Sequence, residues 1–245
     1  GYVGRGNIAI PGLPYGILEG EVIRRDYGSL DGTDHTQVHW DDRTNYTPIV
    51  NANGGYQFLG YGVIGNPQPD FVYGVTNTLS YKWATLRVQF DSQVGGDVFS
   101  TTNSTLLGRG ILQETDFDRF VPVVTNGLSA DGTPNTTQTT ANAHYWPNTG
   151  VFYDENSIYD ASVMRLREVS LSFVAPKSFL NGTPFGNASL TLSAQNIWHY
   201  AWNTPSGTNF DPEVISYGAG SNARGFDEMT GPTAKKYGAT LSLTF

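Results

Sequence analysis

The last eleven residues, KKYGATLSLTF (235–245), constrain this chain more than any other stretch. Tyr237, Ala239, Leu241, Leu243 and Phe245 are apolar, and Gly238, Thr240, Ser242 and Thr244 between them are small or polar. A period of two puts each set on its own face of a strand, and about 9–11 residues is what a tilted strand needs to cross a bilayer. The segment is expected to be a membrane-spanning closing strand that turns Tyr237, Ala239, Leu241, Leu243 and Phe245 toward lipid. The C-terminal edge strand of a soluble sandwich would alternate in the same way, so the rest of the chain must decide.

Composition narrows the class. Lys and Arg number 14 against 22 Asp and Glu, a net charge of −8 without a long basic cluster, which argues against a phosphate-tracking nucleic-acid surface. Charged residues are 15% and aromatics 13% of the chain, with 29 Gly and 13 Pro, the composition of turn-rich β structure rather than of a helical bundle. The absence of cysteine excludes disulfides, thiolate catalysis and Cys-ligated zinc. No stretch approaches the roughly 18 apolar residues of a membrane helix, so the spanning option is a β-barrel, whose polar lumen face keeps the mean hydropathy at −0.31. The chain opens at Gly1 with no charged start or apolar run, so it is expected to be a processed product or a fragment.

Five further segments have strand character. Residues 71–80 place Phe71, Tyr73, Val75 and Leu79 on one face, and residues 83–91 alternate Leu86, Val88 and Phe90 against Thr85, Arg87, Gln89 and Asp91. Only a short link at Tyr81 and Lys82 separates the two, which predicts a hairpin. Val169, Leu171 and Phe173 alternate with serines, as do Ala188, Leu190, Leu192 and Ala194 with Ser, Thr and Gln, while residues 16–27 form the least regular segment. The connections alternate in length. Residues 81–83 and 175–187 are short links, whereas 28–70, 92–161 and 198–234 are long and rich in Gly, Pro, Asn and Thr. Long loops are uncommon in a compact soluble domain, but a barrel carries short periplasmic turns on one rim and long external loops on the other. Tyr81 and Trp83 at one end, and Trp198 and Tyr200 at the other, are expected to form two aromatic girdles. Arg87, Gln89, Asp91 and Glu168 are expected to face the lumen. The run 135–142 reads as a solvated loop tip.

Four stretches carry a resemblance: Ile64-Gly65-Asn66-Pro67-Gln68-Pro69-Asp70-Phe71 leading into the Asn77 strand; Tyr159-Asp160-Ala161-Ser162 followed by Arg165-Leu166-Arg167; Ser193-Ala194-Gln195-Asn196-Ile197 followed by Asp211-Pro212-Glu213-Val214; and the closing strand from Tyr237-Gly238 to Phe245. In this order and spacing the chain resembles the C-terminal part of SusC/RagA-type TonB-linked outer-membrane proteins, transport subunits that Bacteroidetes and related bacteria use for glycans and peptides. The resemblance implies an all-β architecture, an antiparallel transmembrane barrel segment supplying about six of about 22 strands, with long external loops. It further implies location in the outer membrane of a Gram-negative bacterium, contact with membrane lipid, a lumen plug and TonB-contact segment absent from residues 1–245, and an external SusD-like lipoprotein lid. Six strands would leave two open edges, so pairing with the remaining strands of the same transporter is expected.

Catalysis finds little support. His35 and His39 have helix-type metal spacing in surroundings unsuited to a helix, and no nucleophile elbow, phosphate loop or dinucleotide fingerprint occurs. Asp116 and Asp118 read as solvated loop charge. Asp26, Asp31 and Asp34 could form an oxygen-rich calcium loop, but their spacing fails the EF-hand pattern and a plain turn is favoured. Trp146, Trp202 and Tyr217 in external loops are candidates for touching a ligand or the lid, since aromatic faces cover sugar faces. Asp211 and Glu213 join them, either bonding their own loop or meeting a partner. Two other readings stay open at this point: a secreted carbohydrate-binding β-sandwich, and a structural or adhesive surface protein derived from a barrel.

Overall fold

The structure is a computed structural model that describes residues 5–27, 39–148, 153–205, 207–208, 210–213 and 223–245. In chain order, the first strands are β1 (Gly6–Ile8), β2 (Ile17–Ile23), β3 (Arg25–Asp26), β4 (Thr47–Pro48) and β5 (Phe58–Gly65). The hairpin β6 (Phe71–Tyr81) and β7 (Ala84–Val94) precedes β8 (Asp97–Ser100), which runs into the helix α1 (Thr101–Gly108). Next come β9 (Val123–Val124), β10 (Gln138–Thr139), the short turn α2 (Ala141–Ala143) and β11 (Ile158–Asp160). The chain closes with β12 (Val163–Val174), α3 (Lys177–Leu180), β13 (Asn187–Tyr200), β14 (Phe226–Asp227) and β15 (Lys236–Thr244). Among the described residues no helix is long and apolar enough to cross a membrane.

Five long strands form one antiparallel sheet in the order β15-β13-β12-β7-β6. The expected hairpin is there: Tyr81 pairs with Ala84 around Lys82 and Trp83, and Lys82 takes a left-handed φ of 52°. Register makes the sheet two-faced. Leu79, Leu86, Leu171, Leu192 and Ala239 align across all five strands on one face, and Thr78, Arg87, Ser170, Ser193 and Gly238 align on the other. The alternation read in single strands is thus coherent across the sheet, because a slip of one residue would send every apolar side chain to the opposite face.

The sixth expected strand joins a different sheet. Residues 17–23 form β2 between β1 and β5, not a neighbour of the large sheet. Its burial explains the irregular pattern: Ile17, Leu18, Val22 and Ile23 are all fully enclosed, so both faces of the strand carry apolar side chains. Its Glu21 and Ile23 amides donate to the carboxylates of Asp154 (3.0 Å) and Glu155 (2.8 Å), which take the place of a further strand.

The described parts of the long connections are therefore not loose loops. They build a second layer with its own core, where Leu18, Val22, Ile64, Phe99 and Phe226 pack together and Val98, Ala161 and Phe210 form a second cluster. Among the described residues, every buried apolar side chain except Val163 lies outside the five-stranded sheet. Parallel pairing of β14 with β8, flanked by β11, ties the last long connection to the 95–162 connection. Gly225 (φ 73°) makes that crossing, and a Cβ there would sit 2.9 Å from the Asp97 carbonyl oxygen. The run 135–142 is also more ordered than a solvated tip: β10 pairs with β9, Thr140 caps α2 and Ala141 is buried. Its Thr and Asn side chains serve as caps and turn bonds, such as Asn135 Nδ2 to the Thr125 carbonyl at 2.8 Å.

One buried carboxyl in this layer predicts a pH response. Burial pushes Asp97 up to about 6 against the pull of the Asn66 amide, with Asp41, Asp160 and Asp70 adding repulsion. The folded group holds its proton more tightly than the unfolded one, so its stabilisation is full below the ordinary aspartate range and is lost as pH rises through about 6. Amide exchange in β8, corrected for intrinsic rates, is expected to be better protected at pH 5 than at pH 7, and Asp97→Asn should flatten that difference.

Candidate functional site

Charge gathers on the polar face of the large sheet at the end where the long connections leave. Arg87 stands opposite Ser170, Gln89 opposite Glu168 and Asp91 opposite Arg165, so the four residues expected toward a lumen share one face. The ladder is interrupted between Leu166 and Glu168 on both sides of β12, which leaves Arg167 unpaired in either ladder. Beside it in β13, Asn196 adopts a left-handed φ of 52°. A bulge of this kind shifts the alternation by one residue, so Glu168 joins Arg165 on the polar face, where Arg167 also bonds Asp91.

The two arginines hold the last long connection. Arg165, 5% exposed, pairs with the Asp211 carboxylate, 2% exposed, and lies 2.8 Å from Glu213. Arg167 reaches Asp91 through Nε and Nη2, both at 2.7 Å, and Glu213 through Nη2 at 2.8 Å and Nη1 at 3.0 Å. Thr233 donates to the other Asp211 oxygen. Burial pushes the Asp211 carboxyl up, but the Thr233 hydroxyl and the Arg165 charge outweigh it and hold the group below the ordinary range. Asn203 Nδ2 adds a bond to Asp160 at 2.8 Å, and Ser100 Oγ donates to buried Asp227 at 2.6 Å. Such a clamp fixes a loop.

The apolar face carries aromatics at both ends. Trp83 packs on Phe173 at 5.6 Å between ring centroids, and Trp198, Tyr200 and Trp202 follow one another at 6.4 and 6.5 Å. Phe173 pairs with Ala84 at one end and Met164 with Tyr200 at the other. Roughly nine strand steps of about 3.3 Å, tilted by about 40°, set these ends roughly 23 Å apart, close to the apolar band of an outer-membrane barrel.

No family model matches the chain. Two curated relatives from Formosa agariphila do: TonB-dependent receptor P3 is 27% identical over 213 residues, covering 80% of this chain, and TonB-dependent receptor P26 is 27% identical over 192 residues, covering 75%. The chain is thus similar to TonB-dependent receptors over most of its length, and it spans 18% of the length of either relative. Among solved structures, the RagAB peptide transporter matches over 98% of this chain and 25% of that chain, with a TM-score of 0.50 and 17% identity. The RagAB peptide importer in its closed-closed state matches over the same shares with a TM-score of 0.53 and 16% identity. The five-stranded antiparallel sheet and its connections accordingly share the fold of a part of those chains.

In this chain the residues singled out from sequence fall into separate places. Trp146 is half-buried beneath the Arg109 guanidinium, 4.7 Å from its ring centroid. Trp202 extends the aromatic row of β13 and borders a cleft with His199, Pro205 and Phe210. Tyr217, Asp31, Asp34 and His35 lie outside the described residues, and Asp26 is an exposed residue of β3. His39 caps a short 3-10 turn, Trp40–Asn45, which begins after the stretch between the two histidines. Among the described residues no group of three His, Asp or Glu could hold a metal ion. Sequence reading quoted Arg165 and Arg167 as marks of the family but assigned them no task. Their spacing across an interrupted alternation, two cations where the pattern slips, was the available signal.

Proposed function

We propose that residues 1–245 form the C-terminal portion of the barrel wall of an outer-membrane nutrient importer in a Gram-negative bacterium. The complete protein would take up glycan oligomers or peptides together with a SusD-like lipoprotein lid, energised through TonB by a plug and contact segment in the rest of the polypeptide. The observation that carries the reading is the coherent two-faced sheet, whose apolar face stays uncovered: Leu79 is 62% and Leu241 66% exposed. A secreted sandwich would lay a second sheet over that face. Edges β6 and β15 are open, and in hydrocarbon each unpaired backbone group costs several kcal/mol, so further strands of the receptor belong there. The RagAB structures, described as a peptide transporter and importer, support transport of oligomeric nutrients and a two-component assembly.

Intact mass and peptide mapping of the protein extracted from native membranes test this reading. A detergent-soluble species on the order of 100 kDa or above is expected, as a large barrel requires. A species of 26.7 kDa that stays in the aqueous phase without detergent would overturn it.

A further inference from the structure

The apolar face is not uniform. At the end with the Lys82 turn it is indented by a cleft of about 430 Å³ lined by Trp83, Phe173, Phe179, Ala188, Leu190 and Leu241. Its floor belongs to β12 and β13, which already have neighbours on both sides. Strands added at β6 or β15 to complete a barrel would therefore leave it open. Its wall is the short helix α3, from which Phe179 projects 77% exposed over the strands. The volume falls in the range of small-ligand sites, about 300–1,000 Å³.

Side-chain charge at this rim has one sign. In a chain of net charge −8, none of the acidic residues falls within 71–90, 169–210 or 229–245, the stretches that supply this end of the sheet. Lys82, whose ammonium lies 5.2 Å from the Tyr81 ring centroid, and Lys177, at the start of α3, are the charged side chains of the two connections here. The Trp83 carbonyl accepts from the Val174 amide at 2.8 Å, which holds those connections side by side. Long lysine stems beside an apolar band carry their ammonium groups to the headgroup level, where phosphate sits.

We propose that this cleft is a phospholipid site, taking one acyl chain against Phe173, Ala188 and Leu190 while Lys82 and Lys177 draw the headgroup phosphate. The proposal rests on the membrane-spanning reading of the sheet and adds a defined lipid position to it. Whole receptor extracted from membranes is reconstituted in nanodiscs of phosphatidylglycerol bearing a diazirine on the acyl chain, irradiated, and mapped by peptide mass spectrometry. Adducts are expected to concentrate on residues 173–190 relative to the equally lipid-exposed Val75 and Leu79. Ala188→Trp, which fills the cleft, should abolish that excess. Lys82→Gln and Lys177→Gln should each lower it roughly fivefold with labelling of β6 unchanged. The lysine variants keep the test decisive if Ala188→Trp fails to insert. Even labelling along the apolar face, or an excess that the lysine variants leave intact, overturns the site while leaving the membrane reading standing. Absence of adducts anywhere on the apolar face overturns both.

Discussion

Replacing Arg165 with alanine is expected to free the segment 203–234 from the sheet at a cost of about 3–5 kcal/mol. The loss comes less from the missing attraction than from what stays behind: Asp211 is enclosed, and among the described residues its carboxylate would keep the hydrogen bonds of Thr233 and the Glu213 amide without the compensating guanidinium. Cleavage of the whole receptor by a protease acting in 203–234 reads the effect directly, since release of the loop exposes backbone that the clamp now holds. Arg167→Ala is the internal comparison. Its partners Asp91 and Glu213 are partly in water, with side chains 22% and 46% exposed, so its loss should cost no more than about 1 kcal/mol. Arg165→Lys should fall between, keeping charge but losing the planar fork that spans Asp211 and Glu213. Pairing Arg165→Met with Asp211→Leu should recover most of the stability, because the uncompensated charge disappears with its partner. Equal protease sensitivity of Arg165→Ala and Arg167→Ala would show that burial of Asp211 does not control the loop.

How legible this was from sequence depended on which periodicity the environment imposed. β6, β7, β13 and β15 meet different surroundings on their two faces, so residues such as Leu190, Thr191 and Leu192 spell out the sheet one position at a time. β2 is enclosed on both faces by the loop layer, and enclosure erases alternation, which is why residues 16–27 are the least regular of the strand-like segments. The clamp was half legible. Asp211-Pro212-Glu213 stood out as a motif, but its partners lie 46 positions away, and nothing in a local pattern says which of many arginines a loop carboxylate will meet. The second core was hidden for the same reason. Phe99 and Phe226 touch across the parallel β8-β14 pair, a contact made by two loops that composition describes only as Gly- and Asn-rich.

Introducing arginine at Leu192 is expected to cost about 1–3 kcal/mol of membrane-inserted stability, and the same residue at Thr191 less. Depth and face decide both numbers. Leu192 sits between Leu171 and Ala239 on the apolar face, two residues in from the Leu190–Phe173 end, where an arginine would enter the apolar band on the lipid side short of its midplane, the costliest depth. Thr191 is its sequence neighbour but pairs with Ser172 and Thr240 on the other face, where water or a polar lumen would solvate the guanidinium. Its replacement forfeits the 2.9 Å hydroxyl bond to Ser172, worth roughly 0.5–1.5 kcal/mol. Urea titration of the whole receptor folded into lipid vesicles separates the two. Were this face wet, as it is uncovered here, Leu192 would accept arginine with little loss. A larger penalty at Leu192 than at Thr191 therefore requires that one face of this sheet meet an apolar phase while the other meets water, and its appearance in vesicles containing no partner protein identifies that phase as lipid, the condition under which alternation of period two is the pattern a spanning strand carries.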